Sequence, residues 1–128
     1  METKKIFLLE NLDMRFGLIQ EFFSPFYNIE WAQTFTEGVN AFADKSRDYY
    51  SFVLLDHDLD DPNGTGEDFV RMFKSKLNRK QTVIISMNLA GGREMKKLIP
   101  NALHIPFNEF VTTMVQIVKD RQLFQEIL

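Results

Sequence analysis

The sequence alternates between short apolar runs and longer amphipathic segments, and this alternation limits the folds that the chain can adopt. Continuous apolar runs at residues 6–9, 51–55 and 82–86 are short and end at polar or acidic residues, as buried strands do. Weaker strand candidates lie at 28–35 and 102–105. Amphipathic helical patterns separate these runs, so the sequence predicts a doubly wound α/β fold of (βα)₅ type with a five-stranded parallel sheet.

Local signals predict where several helices begin and end. Asp13 and Thr36 are placed to cap two of them, and the first must end before Pro25. Apolar side chains fall on one helical stripe across residues 66–77 and again across residues 108–127. These patterns predict helices with one buried face each, packed on a sheet.

Composition restricts the classes of function. The 128 residues, 45% of them hydrophobic, fit a single domain over residues 1–128. The absence of cysteine excludes thiolate metal sites and cysteine nucleophiles and fits a reducing compartment. A net charge of −3 without a basic run argues against direct DNA binding. No signal peptide or long apolar span occurs, so we expect a cytoplasmic protein without a membrane segment.

Polar side chains collect directly after three predicted strands, where open parallel sheets bind their ligands. These candidate site residues are Glu10 and Asp13 after the first strand, Asp56 and Asp58 after the third, and Ser86 and Asn88 after the fourth. Carboxylates brought so close repel each other unless a cation lies among them. With oxygen ligands available, Mg²⁺ held by the four acids is the predicted cofactor. An acidic loop that is simply solvated is the alternative.

Two further groups lie beside these strand ends. His57, between Asp56 and Asp58, is either a general acid or base or a ring packed against the backbone. Its neighbour Asp56 should point to the opposite face of the sheet. Arg93 follows a Gly-Gly pair at the start of a predicted helix, where backbone N–H groups and a guanidinium suit a phosphate. A flexible loop with a solvated arginine explains the same residues.

The strand ends resemble the CheY-like receiver domains of two-component response regulators over nearly the whole chain. Residues 54–56 (Leu-Leu-Asp) look like the strand that presents the phosphoacceptor aspartate. Ser86 falls where receivers carry a serine or threonine, and residues 105–107 (Ile-Pro-Phe) are similar to the family's Lys-Pro-Phe. The resemblance implies a flavodoxin-like or CheY-like fold.

The resemblance also implies a stand-alone bacterial response regulator that acts in a phosphorelay. Asp56 would be the phosphoacceptor, Mg²⁺ would be held by Asp56, an acid of the first strand end and the carbonyl of Asp58, and Ser86 would bind a phosphoryl oxygen. Its partners would be a histidine kinase or another phosphodonor and a downstream protein. The fourth and fifth receiver helices, here residues 92–99 and 108–127, would form the partner surface or a homodimer.

The sequence departs from the usual receiver pattern at three places, one of them Ala102, where receivers often carry an aromatic switch residue. Glu10 is followed by Asn11, where receivers carry a second acid, and Ile105 stands in place of the lysine that contacts the phosphoryl group. His104 is adjacent, but along a strand its side chain should point away from that of Ile105. A pseudo-receiver that acts only as a protein-interaction module is therefore one alternative.

A narrower resemblance leads to another alternative. Residues 55–59 (LDHDL), 64–68 (GTGED) and 86–88 (SMN) look like the divergent receiver-like domains proposed to process cyclic phosphates. Ile85 stands where those domains often show a histidine. This resemblance implies metal-dependent processing of cyclic phosphates on nucleotides or RNA ends. The phosphorelay, the enzyme and the interaction module remain open at this point.

Overall fold

The computed structural model describes residues 4–24 and 26–119, with side chains described as far as residue 113. The strands are β1 (Lys4–Leu9), β2 (Tyr27–Ala32), β3 (Phe52–Leu55), β4 (Thr82–Ile84) and β5 (Leu103–His104). All neighbouring strands pair in parallel, in the order β2-β1-β3-β4-β5. The predicted five-stranded, doubly wound α/β sheet is confirmed.

Helices cover both faces of this sheet. They are α1 (Asp13–Phe23), α2 (Phe35–Phe42), α3 (Gly66–Met72), α4 (Lys74–Leu77), α5 (Leu89–Leu98) and α6 (Phe107–Lys119). The helix predicted over 66–77 is interrupted at Phe73, whose φ of −118° and ψ of 28° are not helical. The helix predicted over 108–127 corresponds to α6, and residues 120–127 lie outside the described residues. In the described part of the chain, no helix is both long and apolar enough to cross a membrane.

Two predicted helix caps differ from the observed ones. Asp13 is the first residue of α1, and the N-cap is Leu12, which makes no side-chain capping bond. Helix α2 is capped by Thr34 rather than Thr36, because Glu37 completes a capping box. The Thr34 hydroxyl accepts the backbone N–H of Glu37 at 3.1 Å, and the Glu37 carboxylate accepts that of Thr34 at 3.2 Å.

Alternate strand side chains enter two separate cores. Phe7 and Leu9 of β1 pack on the face covered by α2, α3 and α5, whereas Ile6 and Leu8 pack on the face covered by α1 and α6. We call these the α5 face and the α1 face. On the α5 face, the Phe7 ring lies 5.8 Å from that of Phe69 in a stacked arrangement. Burial on both faces explains why the strands are continuous apolar runs.

The first residue of α3 approaches the end of β3 very closely. The Gly66 N–H donates to the carbonyl oxygen of His57 at 2.7 Å. A Cβ at Gly66 would lie 1.9 Å from the carbonyl oxygen of Asp56. Only glycine fits this contact, which holds α3 against the loop that carries the acidic residues.

We expect Gly66→Ala to lower the free energy of unfolding by about 2 kcal/mol or more, because backbone atoms would have to move apart. Gly17→Ala is the matched control, since a Cβ there meets nothing within 4 Å. That exposed helix position should gain about 0.5–1 kcal/mol from the same substitution. Urea denaturation measures both. A Gly66→Ala variant as stable as the wild type would contradict the close approach.

Candidate functional site

The pairing of β1 with β3 brings two acidic side chains together. Leu9 is in register with Leu55, and the Asp56 N–H continues the pairing by donating to the Leu9 carbonyl at 2.9 Å. Glu10 and Asp56 are therefore neighbours on the α1 face of the sheet. Glu10 is fully buried and Asp56 is 3% exposed. The sheet register thus forces two carboxyl groups into one small, dry space.

Burial and the adjacent Asp56 raise the pKa of Glu10 to about 8, whereas Arg15 opposes this rise. Glu10 consequently holds a proton at neutral pH. Its position is fixed by neighbours, because the N–H of Asn11 donates to Oε2 at 3.0 Å. The indole Nε1 of Trp31 donates to the Glu10 backbone carbonyl at 2.7 Å. These contacts hold Glu10 in place beside Asp56.

Arg15 is the cation of this pair, and the sequence analysis missed it. Its Nη1 donates to Glu10 Oε1 at 3.2 Å and lies 3.8 Å from Asp56 Oδ2. Its guanidinium carbon lies 5.0 Å from the centre of the Phe107 ring. The sequence does contain a signal for this contact. Arg15 precedes the buried Ile19 by four residues, so its side chain lies on the face of α1 that packs on the core.

A second group of polar side chains forms at the adjoining ends of β3 and β4. His57 Nδ1 lies 2.7 Å from Asp58 Oδ1, and Asn88 Nδ2 donates to the same Asp58 oxygen at 3.2 Å. Hydrogen bonds from His57 and Asn88 lower the pKa of Asp58, so this carboxylate is ionised. Because the ionised Asp58 is an acceptor, Nδ1 is the ring nitrogen that donates to it, and Nε2 is the nitrogen left for other partners.

The His57 ring lies on the α5 face, as the alternation along β3 predicts. A Cβ at Gly91 would lie 2.6 Å from the ring, so glycine at this position of α5 makes room for the imidazole. Asn88 caps the same helix by accepting the Gly91 N–H through Oδ1 at 3.0 Å. His57 is therefore packed against α5 and is also part of a polar network, and its role as a general acid or base stays a prediction.

The remaining predicted site residues make no hydrogen bond or ion pair with Glu10 or Asp56 among the described residues. Ser86 is fully buried, and its hydroxyl accepts the Asn88 N–H at 3.0 Å. Asp13 is exposed at the first residue of α1, and Arg93 is exposed on α5. Neither makes a hydrogen bond or ion pair with another described side chain. The phosphate-binding roles of Ser86, Asn88 and Arg93 and the metal-binding role of Asp13 stay predictions.

Two of the four predicted metal ligands, Glu10 and Asp56, meet. The Asp58 carboxylate bonds to His57 and Asn88, and the metal-binding role of Asp58, which the resemblance gives to its backbone carbonyl, stays a prediction. Among residues 4–24 and 26–119, no three acidic or histidine side chains are grouped as a metal site. The pair still fits Mg²⁺, since that ion commonly takes one or two carboxylates and completes its shell with water. A divalent cation would also offset the burial and the proximity of Asp56 that raise the Glu10 pKa.

Exposed apolar side chains flank this edge of the sheet. Leu12 and Met14 follow β1 and are 45% and 79% exposed, and Met87 and Leu89 follow β4 and are 43% and 48% exposed. Both pairs adjoin residues of the site. We call these four side chains the apolar rim, and they can contact the apolar part of a ligand.

The fold and its acidic edge define the class of protein as a receiver domain. The chain is similar to the phosphorylated cyanobacterial phytochrome response regulator RcpA, with 24% identity, coverage of 96% of this chain and 94% of that chain, and a TM-score of 0.71. A receiver domain from Rhodospirillum rubrum has 21% identity, 97% and 94% coverage and a TM-score of 0.67. The Mn²⁺-bound response regulator Rcp1 has 16% identity, 89% and 91% coverage and a TM-score of 0.69.

The sequence itself narrows this class. The model of the family described as the cyclic-phosphate processing receiver domain matches residues 13–101, and the chain belongs to that family. No curated protein matches the sequence. The resemblances to CheY-like receivers and to the cyclic-phosphate branch are both confirmed.

The raised pKa of Glu10 predicts that stability falls as the pH rises. Folding retains a proton on Glu10 between its ordinary pKa of 4.5 and about 8, so the folded state binds more protons than the unfolded state there. The free energy of unfolding should decrease between about pH 5 and pH 8, by at most about 1.4 kcal/mol per pH unit from this group.

Glu10→Gln removes this titration and should flatten the profile, and Glu21→Gln at an exposed position of α1 is the control. Urea denaturation in the presence of a chelator measures all three proteins. Identical pH profiles for wild type and Glu10→Gln would contradict the assignment of the proton to Glu10.

Proposed function

We propose that the protein hydrolyses cyclic phosphate esters, on nucleotides or RNA ends, to phosphomonoesters. The observation that carries this proposal is the imidazole of His57, held by Asp58 at 2.7 Å directly after the buried Asp56. An oriented imidazole beside a carboxylate is the arrangement that general acid–base catalysis needs. Membership in the cyclic-phosphate processing receiver family supports the same chemistry.

His57 would move the protons of the reaction. With Nδ1–H donated to Asp58, the lone pair of Nε2 can take a proton from the attacking water. Water oxygen then bonds to phosphorus, one ring P–O bond breaks, and the imidazolium returns the proton to the leaving ribose oxygen. Asp58 stabilises the imidazolium, and Asn88 holds Asp58 in place through its 3.2 Å hydrogen bond. Atoms and charge balance for a simple hydrolysis.

Glu10 and Asp56 would hold a divalent cation. When bound, the cation would supply charge neutralisation for the non-bridging phosphate oxygens. Mg²⁺ is the ion we propose, and the related structure described as the Mn²⁺-bound form of Rcp1 supports a divalent metal in this fold. In this chain, the observation that argues for the metal is the pair of buried carboxyl groups of Glu10 and Asp56.

The apolar rim favours a substrate with a flat apolar group. Leu12 and Met14 lie on one side of the strand ends, and Met87 and Leu89 follow the neighbouring strand β4. Methionine adapts to aromatic surfaces, and a nucleobase presents such a surface. A nucleoside cyclic phosphate or an RNA end therefore suits this edge better than a small sugar phosphate.

A phosphoacceptor role for Asp56 in a phosphorelay is the second candidate. Its support is the position of Asp56, buried directly after the central strand β3 and 3.8 Å from a guanidinium nitrogen. A histidine kinase or another phosphodonor and a downstream protein would then be the partners. Ile105 packs with the core of the α1 face and supplies no charge to such a site. Helices α5 and α6 remain the proposed partner or homodimer surface.

The first test follows 2′,3′-cyclic AMP by ³¹P NMR with Mg²⁺ or Mn²⁺ and with a chelator. We expect metal-dependent conversion to AMP, with kcat lowered about 10²- to 10³-fold in His57→Gln because general acid–base catalysis is lost. His104→Gln is the matched control, because that ring packs against Gly92 rather than in the Asp58 network. No conversion by the wild type, or full activity of His57→Gln, would contradict the hydrolytic function.

The second test measures intact mass after incubation with acetyl phosphate and Mg²⁺. If the domain is hydrolytic, we expect no stable gain of a phosphoryl group by the wild type. A labile phosphoryl group on the wild type that is absent from Asp56→Asn would instead establish the phosphoacceptor role. A protein that fails both tests would fit the interaction module.

A further inference from the structure

We propose that Arg15 binds the phosphoryl oxygens of the ligand and that it exchanges partners, leaving the carboxylates of Glu10 and Asp56 as a divalent cation binds them. The inference rests on the phosphate site proposed above and assigns its cation. It also gives an order of binding, in which the metal binds first and releases Arg15 to bind the phosphate.

The guanidinium has hydrogen-bond donors to spare. Its hydrogen bond to Glu10, at 3.2 Å, and its ion-pair contact with Asp56, at 3.8 Å, both use Nη1. Within the described part of the chain, Nε and Nη2 make no hydrogen bond. The side chain is 21% exposed, whereas the two carboxylates are 0% and 4% exposed. Arg15 therefore lies between the buried acids and solvent, and its free N–H groups match the two-oxygen geometry of a phosphate.

Two neighbouring elements limit where Arg15 can move. It is the third residue of α1, and its backbone N–H bonds to the Leu12 carbonyl at 3.1 Å. Its guanidinium lies over the Phe107 ring at 5.0 Å, so a face of the cation is already supported by α6. These contacts keep the guanidinium at the strand ends when it releases the carboxylates. The exchange requires a rotation of the side chain only.

A divalent cation and Arg15 compete for the same oxygen atoms. Nη1 contacts Oε1 of Glu10 and approaches Oδ2 of Asp56, which are the two carboxylates available to a metal. A cation bound between them would repel the guanidinium, which then meets the anionic phosphate. Metal and phosphate should therefore bind cooperatively, each tightening the other by the same factor.

Because Arg15 and the metal compete, replacing Arg15 should change the Mn²⁺ affinity and the phosphate affinity in opposite directions. Arg15→Met removes the charge and keeps an apolar chain against Phe107. It should bind Mn²⁺ more tightly than the wild type, because a competing cation is gone. It should bind a phosphate about 10- to 100-fold more weakly, because a charged hydrogen-bond donor is lost. Damage to the fold would weaken both ligands together.

The experiment uses Mn²⁺ and 3′-AMP as probes, with inorganic phosphate as a second phosphate. Trp31 is the one tryptophan of the chain, and its indole bonds to the Glu10 carbonyl, so quenching of its fluorescence by Mn²⁺ reports metal at the acid pair. Titration calorimetry with and without Mn²⁺ measures phosphate binding. Arg15→Lys keeps the positive charge but loses the planar guanidinium that can donate two hydrogen bonds to one phosphate. Its Mn²⁺ affinity should therefore stay near that of the wild type, while its phosphate affinity falls.

Two other arginines serve as controls. Arg71→Met removes an exposed cation of α3 that pairs with Glu67 at 3.1 Å, and both affinities should stay unchanged. Arg93→Met tests the competing candidate on α5. The proposal is overturned if Arg15→Met binds phosphate as well as wild type, if it binds both ligands more weakly, or if Arg93→Met alone loses phosphate. It is also overturned if the wild type binds neither phosphate.

The outcome for Arg15 is separable from that for hydrolysis. Arg15-dependent phosphate binding without conversion of 2′,3′-cyclic AMP would support the present inference and reject the hydrolytic function. Conversion by the wild type with unchanged KM and kcat in Arg15→Met would reject the present inference and leave hydrolysis in place.

Discussion

The proximity of two buried carboxyl groups is the constraint on which the functional edge of this protein depends. The parallel register of β1 and β3 places Glu10 beside Asp56 with almost no access to water. Two charges in such a place would be strongly unfavourable, so Glu10 keeps a proton and Arg15 supplies the compensating cation. Trp31 fixes the backbone of Glu10 on the other side. This arrangement underlies our proposal that the pair exchanges its proton and its arginine for a divalent cation.

The second polar group, formed by His57, Asp58 and Asn88, begins at the next residue but is stabilised by hydrogen bonds at a more exposed place. His57 leaves β3 toward the α5 face, where Gly91 provides the space that the ring needs. Its partner Asp58 is 67% exposed and stays ionised through hydrogen bonds. The site thus combines a dry acid pair on one face with a wetter imidazole–carboxylate pair on the other. Consecutive residues of one strand end reach both, because side chains alternate across a sheet.

Much of this arrangement is predictable from the sequence because it depends on local patterns. Continuous apolar runs predict the strands, and the acids that follow them predict Glu10 and Asp56 at one edge. The interruption of the helix at Phe73 was missed, since its apolar stripe continues across the break. The hydrogen bond between the Ser86 hydroxyl and the Asn88 backbone, in the loop that follows β4, was not predicted either. Such short-range turns depend on backbone geometry that residue patterns do not specify.

By itself, the sequence determined the α/β class, the sheet edge that carries the chemistry and most of the acids that lie there. The hydrophobic periodicity and the order of strands and helices along the chain are properties of the sequence, and they do not depend on the details of packing. Only the tertiary structure decided which charges meet. It joined Asp58 to His57 and Asn88, and it brought Arg15 of α1 onto Glu10. These contacts depend on distances of a few ångströms between different elements, and electrostatic energies in a buried site change steeply over such distances.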